Sequence, residues 1–192
     1  MMMHIDVSSV LRQTVSCELY SNLVTRPTGA AVRAQIEALL ADSRERSLTV
    51  IDFSHVGMID FSCADEVVAK LLLRSVATER GGREAYFLFR GVTDHHWDPI
   101  EQVLERHRLA LVLETDDGVA RIVGMVDDEE RDAWQKVYEL GRTAPAELAS
   151  VLGGDETGAR TMLDGLHRRR LVMRTDQGYV AVGGLGGGVR HD

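Results

Sequence analysis

Residues 48–75, LTVIDFSHVGMIDFSCADEVVAKLLLRS, decide the fold of this chain. The stretch begins with a β-branched and aromatic run that is typical of a buried strand, and a polar loop with Gly57 follows. Apolar residues then recur at spacings of three and four, at Ala64, Val67, Val68, Leu71 and Leu72. This spacing predicts a helix with one buried face from Ser62 to about residue 79.

Alternating strands and helices surround this stretch. Further strands are predicted at 15–20, 85–89, 109–113 and 119–123. Pro27 marks the start of one helix, and Asp98 with Pro99 marks the start of another, because proline suits the first helical turn. This alternation predicts an α/β domain with a central, mostly parallel sheet over residues 1–126.

A second unit is predicted from residue 127 to residue 183. The acidic run at 127–130 marks its start, either as a linker or as the first turn of a helix. Helical patterns follow, the last one capped by Asp155, and a turn at Gly178 predicts a two-stranded hairpin. Helices followed by a hairpin are the order of a winged helix. The glycine-rich residues 184–192 are predicted to form a flexible tail.

The strand, acidic loop and helix start within residues 48–75 resemble the signature segment of STAS domains, the fold of bacterial anti-sigma-factor antagonists. The order of elements agrees over residues 7–124. The resemblance implies that the loop and the helix start dock a protein partner, with a kinase-like ATP-binding regulator as the candidate. The residues expected at this docking surface are Ser54, His55, Asp60, Phe61, Ser62, Asp65 and Glu66.

The helix start departs from the family pattern. A typical antagonist has Asp-Ser-Ser-Gly there and is phosphorylated on the first serine, whereas Phe61 occupies that position here. We therefore expect no phosphorylation at that position. Ser62 and Asp65 fit a capping box, so the expected role of Ser62 is to cap the helix.

Residues 147–182 resemble the winged helix-turn-helix of bacterial transcription regulators. The resemblance implies DNA contact by the last helix and the hairpin. The candidate residues are Arg160, Thr161, Arg168, Arg169, Arg170 and Arg174. Basic residues also suit a helix C-terminus, and winged helices can serve protein contact or homodimer formation, so both uses stay open.

Composition argues against several classes of function. The net charge is −8 and both predicted units are acidic, which argues against strong non-specific DNA binding. Cys17 and Cys63 are isolated, so we expect no disulfide scaffold and a reducing cytoplasm. No apolar run reaches the roughly 18 residues of a membrane helix, and the first residues lack the pattern of a signal peptide.

No catalytic residue, metal or cofactor is predicted. His95, His96 and His107 lack the spacing of a metal site, and no phosphate loop or nucleophile elbow is present in the sequence. The predicted function is a non-catalytic regulator that binds a protein partner and relays its state to DNA. The alternatives are a pure protein-interaction switch, and a small enzyme or ligand binder that uses the acidic loop near Asp60.

Overall fold

The computed structural model describes residues 2–41, 47–77 and 84–184. It shows an α/β fold with a central sheet of mostly parallel strands. The first part of the chain forms, in order, β1 (Met2–Asp6), α1 (Val7–Val15), α2 (Arg26–Ala41), β2 (Ser47–Asp52), α3 (Phe61–Ala64), a π-helical segment (Asp65–Lys70), α4 (Leu71–Ala77), β3 (Ala85–Arg90), α5 (Asp94–His107), β4 (Ala110–Glu114) and β5 (Ala120–Gly124). The predicted fold class is therefore confirmed for this part.

The five strands lie in the order β1-β2-β3-β4-β5. The first four are parallel, and β5 pairs antiparallel with β4. Strands β2 and β3 pair with Ile51 opposite Phe89, which places both side chains on the same face of the sheet. That face is covered by the helices between β1 and β4.

The strand predicted at 15–20 is wrong. The first strand is β1, and α1 follows it directly because the Asp6 carboxylate accepts hydrogen bonds from the backbone N–H groups of Ser8 (2.9 Å) and Ser9 (3.4 Å). Helix α1 ends at Ser16 in the left-handed conformation, with φ of 53°. The chain then turns at 17–20, where Tyr20 N–H donates to the Cys17 carbonyl at 3.2 Å.

The predicted start of α5 at Asp98 is also wrong. The helix begins at Asp94, with Thr93 as its N-cap, so Pro99 lies inside the helix. The Thr93 N–H donates to Nδ1 of His96 at 3.1 Å, and this side-chain contact fixes the first turn. A histidine three residues after the cap thus performs the role that glutamate performs in a capping box.

Helices α2 and α3 approach each other closely at Gly29. A Cβ atom at this position would lie 2.9 Å from the Cα atom of Cys63, so no larger residue fits without movement of the backbone. The Cys63 thiol donates to the Thr25 carbonyl at 3.0 Å. This contact fixes the start of α3 against the start of α2.

The second part of the chain continues without a linker, because Asp127 caps the next helix by accepting from the Glu130 N–H at 2.7 Å. Its elements are α6 (Asp128–Leu140), β6 (Arg142–Thr143), α7 (Pro145–Leu152), α8 (Glu156–Arg168), β7 (Val172–Thr175) and β8 (Gly178–Ala181). The three strands form a small antiparallel sheet in the order β6-β8-β7. Asp155 caps α8 through the Gly158 N–H at 2.6 Å, as predicted.

The two predicted units share one hydrophobic core. The second face of the large sheet, with residues such as Val50, Leu88 and Val112, belongs to the same buried cluster as Trp134 of α6 and Leu163 of α8. Polar contacts cross the same junction: the Arg131 guanidinium donates to the Ile122 carbonyl at 2.9 Å, and the Tyr138 hydroxyl accepts from the Ala120 N–H at 3.3 Å. Residues 127–184 therefore cover the sheet face that the first part leaves open.

Two predictions fall outside the described residues, namely the end of the helix near residue 79 and the tail beyond Gly184. Within the described part of the chain, no helix combines the length and the apolar character that crossing a membrane requires.

Candidate functional site: the paired loops

The candidate docking surface consists of two loops that pair with each other. We call residues 17–25 and 53–60 the paired loops. Leu23 N–H donates to the Met58 carbonyl at 2.7 Å, and Asp60 N–H donates back to the Leu23 carbonyl at 2.9 Å. Gly57 N–H donates to the Ser21 carbonyl at 2.9 Å. These bonds make a short parallel ladder and hold the backbone of both loops in place.

The paired loops present large apolar side chains to solvent. Met58 is 54% exposed, and Leu19, at the turn after α1, is 94% exposed. Val56 and Ile59 point inward and are buried in the core. The two buried side chains therefore anchor the second loop, and Met58 between them stays outside. Neither exposed residue was predicted, because no local sequence signal shows on which side of a loop an apolar side chain lies.

Ser54 and His55 lie at the exposed start of the same loop. The Ser54 hydroxyl donates to Oδ1 of Asp52 at 2.5 Å, so this serine is tied to the end of β2. The His55 side chain is largely exposed and its Nδ1 lies 3.9 Å from the Asp6 carboxylate. Both residues are placed where the sequence predicted them, on the accessible side of the loop.

Asp60, rather than Ser62, caps α3. The Asp60 carboxylate accepts from the Cys63 N–H at 2.7 Å, from the Thr25 N–H at 2.9 Å and from the Ser62 hydroxyl at 2.8 Å. The predicted capping role of Ser62 is therefore wrong. Ser62 belongs to the first turn of α3, and its hydroxyl donates to Asp60, which is the N-cap residue. Burial alone would raise the pKa of Asp60, but these hydrogen bonds outweigh it and lower the pKa.

Phe61 sits half-buried at the first position of α3. The guanidinium of Arg106, on α5, lies over its ring at 5.7 Å from the centroid. The aromatic side chain thus joins the start of α3 to α5.

Asp65 and Glu66 do not face solvent. They lie in the π-helical segment, are buried, and both accept from Nη1 of Arg26, at 2.7 Å and 2.8 Å. Nε2 of His107 donates to the Asp65 carboxylate at 2.7 Å, and the Lys70 ammonium donates to Glu66. These two carboxylates therefore bind α2 and α5 together. The prediction that they present charge to a partner at the docking surface is wrong.

The charges around Asp65 and Glu66 form one network. Arg33 donates to Glu66 at 3.2 Å and to Glu37 at 2.9 Å, and Glu37 also accepts from Arg74 at 2.5 Å. Burial would raise the pKa of Glu66, but hydrogen bonds from Lys70, Arg26 and Arg33 lower it overall. Glu66–Lys70 and Arg33–Glu37 are i,i+4 pairs and are local in sequence, but the contacts that join the helices connect residues far apart along the chain and have no sequence signal.

A second polar cluster lies at the carboxyl end of the parallel strands, where α/β proteins usually bind ligands. Asp52 accepts from Nε of Arg90 at 2.8 Å and lies 2.9 Å from Nε2 of His4. Burial raises the pKa of Asp52, but the hydrogen bonds of Ser54, Arg90 and His4 outweigh this and lower it strongly. This carboxylate is therefore ionised and saturated with partners.

The adjacent histidines His95 and His96 have different surroundings. His95 is exposed, whereas His96 is buried and lies with Nε2 2.9 Å from the Val56 carbonyl. Since Nδ1 of His96 accepts from Thr93, Nε2 carries the proton and donates to Val56. His96 thus supports the second of the paired loops. Among the residues that the structure describes, no three His, Cys, Asp or Glu side chains are grouped to hold a metal ion.

The candidate DNA-binding residues separate into two sets. Arg160, Thr161, Arg168 and Arg174 lie on the surface, and Arg160 pairs with Glu156 at 2.8 Å. Arg169 and Arg170 point back toward the large sheet.

Arg169 pairs with Glu130 at 2.6 Å and also donates to the Met125 carbonyl. Arg170 has a side chain only 9% exposed, stacks over the Tyr86 ring at 5.7 Å and donates to the Ser75 carbonyl at 3.2 Å. These two arginines hold α8 to the rest of the protein, which is not the exposed phosphate-binding position that the sequence predicted.

Comparison with known proteins does not assign the chain to a family. No protein-family model matches the chain, and no curated protein is similar to it at a significant level.

Proposed function

We propose that this chain is a non-catalytic regulatory protein that binds a protein partner through the paired loops. The observation that carries the proposal is the exposure of Met58 and Leu19 on a backbone held by hydrogen bonds between the two loops. A surface that is already ordered loses little conformational entropy when it binds, so its apolar side chains contribute more fully to affinity. Neighbouring His55 and Ser54 supply a polar rim.

The resemblance to STAS domains supports the same surface, because that family docks its partner at this loop and helix start. A kinase-like ATP-binding regulator is the partner that the resemblance suggests. Phe61 stands where the family carries its phosphoserine, and Ser62 donates to Asp60. A phosphate on Ser62 would place negative charge beside that carboxylate, so we propose that partner binding does not depend on phosphorylation here.

The ionisation of the nearby carboxyl groups favours binding over acid–base chemistry. The pKa values of Asp52, Asp60, Asp65 and Glu66 are all lowered by their hydrogen-bond partners. General acids and bases at neutral pH need pKa values near 7, which requires a shift in the opposite direction. At neutral pH all four are therefore anions: Asp52 and Asp60 hold the ends of the second loop, and Asp65 and Glu66 hold α2 and α5.

The test is affinity purification of the tagged full chain from its native organism, followed by mass spectrometry. Met58→Asp and Leu19→Asp should each lose the protein that the wild type retains, because each places a charge in the proposed contact. Val119→Asp is the matched control, since Val119 is 39% exposed in the turn between β4 and β5. Retention of the same protein by both loop variants would refute the proposal. Asp60→Arg is unsuitable because it removes the cap of α3.

A second candidate function is DNA contact by residues 127–183 acting as a winged helix. It is favoured by the order of α6, α7, α8 and the β7–β8 hairpin, and by the exposed positions of Arg160, Arg168 and Arg174. Arg142, on β6, is also exposed beside the hairpin and donates to Gln177. Few cations are available, so we expect weak binding by one copy, and a dimer on two half-sites would be needed for useful affinity.

Fluorescence anisotropy with duplex DNA from the protein's own promoter region, at low salt, tests this candidate. Arg160→Ala should lower sequence discrimination, and each lost phosphate contact should reduce the salt slope by about 0.9. Arg169→Ala should instead destabilise the protein, because Arg169 pairs with Glu130. Absence of binding at low salt would leave protein contact as the role of this part of the chain.

A further inference from the structure

A groove runs between α6, α7 and α8, away from the paired loops. It consists of two adjoining cavities of about 470 and 490 Å³, which share Asp155, Gly158 and Met162. Ala149, Ala159 and the partly exposed Leu152 give one cavity an apolar lining. Thr157 and Thr161 line the other cavity beside Gly165, and Met162 lies in both.

The groove exists because α8 carries glycine where a helix normally carries a larger residue. Gly158 and Gly165 both line it and both have ordinary helical backbone. A Cβ atom at Gly165 would meet nothing within 4 Å, so neither packing nor backbone conformation requires glycine there. A glycine inside a helix costs roughly 0.5–1 kcal/mol relative to alanine. The open space beside Gly165 therefore comes with a lower helix stability than alanine would give.

The rim of the groove is acidic. Its carboxylates are Asp127, Glu129, Glu130, Asp132 and Asp155. Arg169 neutralises Glu130, and Asp127 and Asp155 cap their own helices. Glu129 and Asp132 are exposed three residues apart on α6 and line the channel, and neither forms an ion pair with any residue of 2–41, 47–77 or 84–184. Such a rim repels nucleic acid and attracts a cationic ligand.

We propose that this groove docks a helix of a partner protein that has one apolar face flanked by lysine and arginine. The apolar lining and the missing side chains at Gly158 and Gly165 match the ridge of such a helix, and the acidic rim matches its flanking charges. The site is separate from the paired loops and does not depend on their function. It also competes with the second candidate function, because the first turn of α8 belongs to the acidic rim and the candidate DNA contact Thr161 lines the groove.

The test uses a fluorescein-labelled synthetic peptide of about 14 residues, roughly four helical turns, with leucines on one face and lysines on both flanks. Anisotropy titration with the full chain should show binding that weakens as salt rises, since the attraction is partly electrostatic. The same peptide with glutamate in place of lysine should bind at least about 10-fold more weakly. Gly165→Met fills the channel and raises helix propensity, so it should fold and yet lower affinity by about 10-fold or more.

Two charge variants complete the design. The double variant Glu129→Gln with Asp132→Asn should lower affinity several-fold at low salt. Asp98→Asn with Glu101→Gln removes the same charge from exposed positions of α5 and should leave affinity unchanged. The proposal is overturned if the lysine peptide does not bind, if Gly165→Met binds it as tightly as wild type, or if both charge variants weaken binding equally.

Discussion

Truncation of Trp134 should destabilise the large sheet as well as α6, because both belong to one core. The Trp134 side chain is fully buried, stacks on Tyr138 with ring centroids 5.3 Å apart, and donates from Nε1 to the Leu171 carbonyl at 3.0 Å. It belongs to the buried cluster that includes Val50 and Leu88 of the central strands.

The magnitude follows from these contacts. An aromatic side chain buries about 150–250 Å², which at about 25 cal/mol per Å² corresponds to roughly 4–6 kcal/mol as an upper bound. The Leu171 carbonyl also accepts from the Val182 N–H at 3.0 Å, so it is not left without a partner in the variant. We therefore expect Trp134→Ala to lower the free energy of unfolding by about 3–5 kcal/mol.

Urea unfolding followed by circular dichroism gives the size of this loss, and amide hydrogen exchange gives its location. The free energy of exchange should fall by the same amount at Ile51 and Phe89, in the middle of the large sheet, as in α8. Val151→Ala, at an exposed position of α7, should change stability by less than about 0.5 kcal/mol. Undiminished protection of Ile51 and Phe89 in Trp134→Ala would refute the shared core, because the two parts would then unfold independently.

Asp60→Ala should cost about 2–3 kcal/mol in urea unfolding, since it removes a helix cap and a charge-assisted bond. Because the pKa of Asp60 is lowered on folding, its contribution to stability is complete above the ordinary value of 3.8 and is lost as the pH falls through the lower folded value. A difference in unfolding free energy between wild type and variant that persists in strong acid would contradict this. Gly165→Ala should raise the unfolding free energy by about 0.5–1 kcal/mol. Gly29→Ala should lower it, because the added Cβ would press on Cys63. A melting temperature that falls for Gly165→Ala and rises for Gly29→Ala would contradict both predictions. Cys17 is exposed and should react quickly with a thiol reagent. Burial raises the pKa of Cys63 to about 12 and should keep this thiol unreactive until the protein unfolds. Fast labelling of two thiols in the native protein would be inconsistent with the structure.

The sequence predicts those elements whose signals are local. β2 and α8 follow directly from an apolar run and from Asp155 with a helical pattern. Prediction from local sequence fails where a helix cap overrides the composition of the residues that follow it. The run at 15–20 has strand-like composition, but Asp6 caps a helix that extends to Val15 and is followed by the left-handed residue Ser16.

The buried state of Asp65 and Glu66 could not be predicted from local patterns. Two acidic residues in the first turns of a helix usually face solvent, and only tertiary packing brings Arg26 and His107 to them. Exposure of Met58 has a similar origin, since it depends on which side of the loop packs against the core. Tertiary contacts thus decide most of the candidate site, while local patterns decide most of the fold.

The most direct test of partner binding through the paired loops is photo-crosslinking in the native organism, with a photoreactive amino acid placed at position 58 or at position 119. Both side chains are exposed, so both can report a neighbour. We predict that position 58 yields one discrete crosslinked protein and that position 119 yields none. Absence of a crosslink at position 58, or the same product from both positions, would contradict the proposed docking surface.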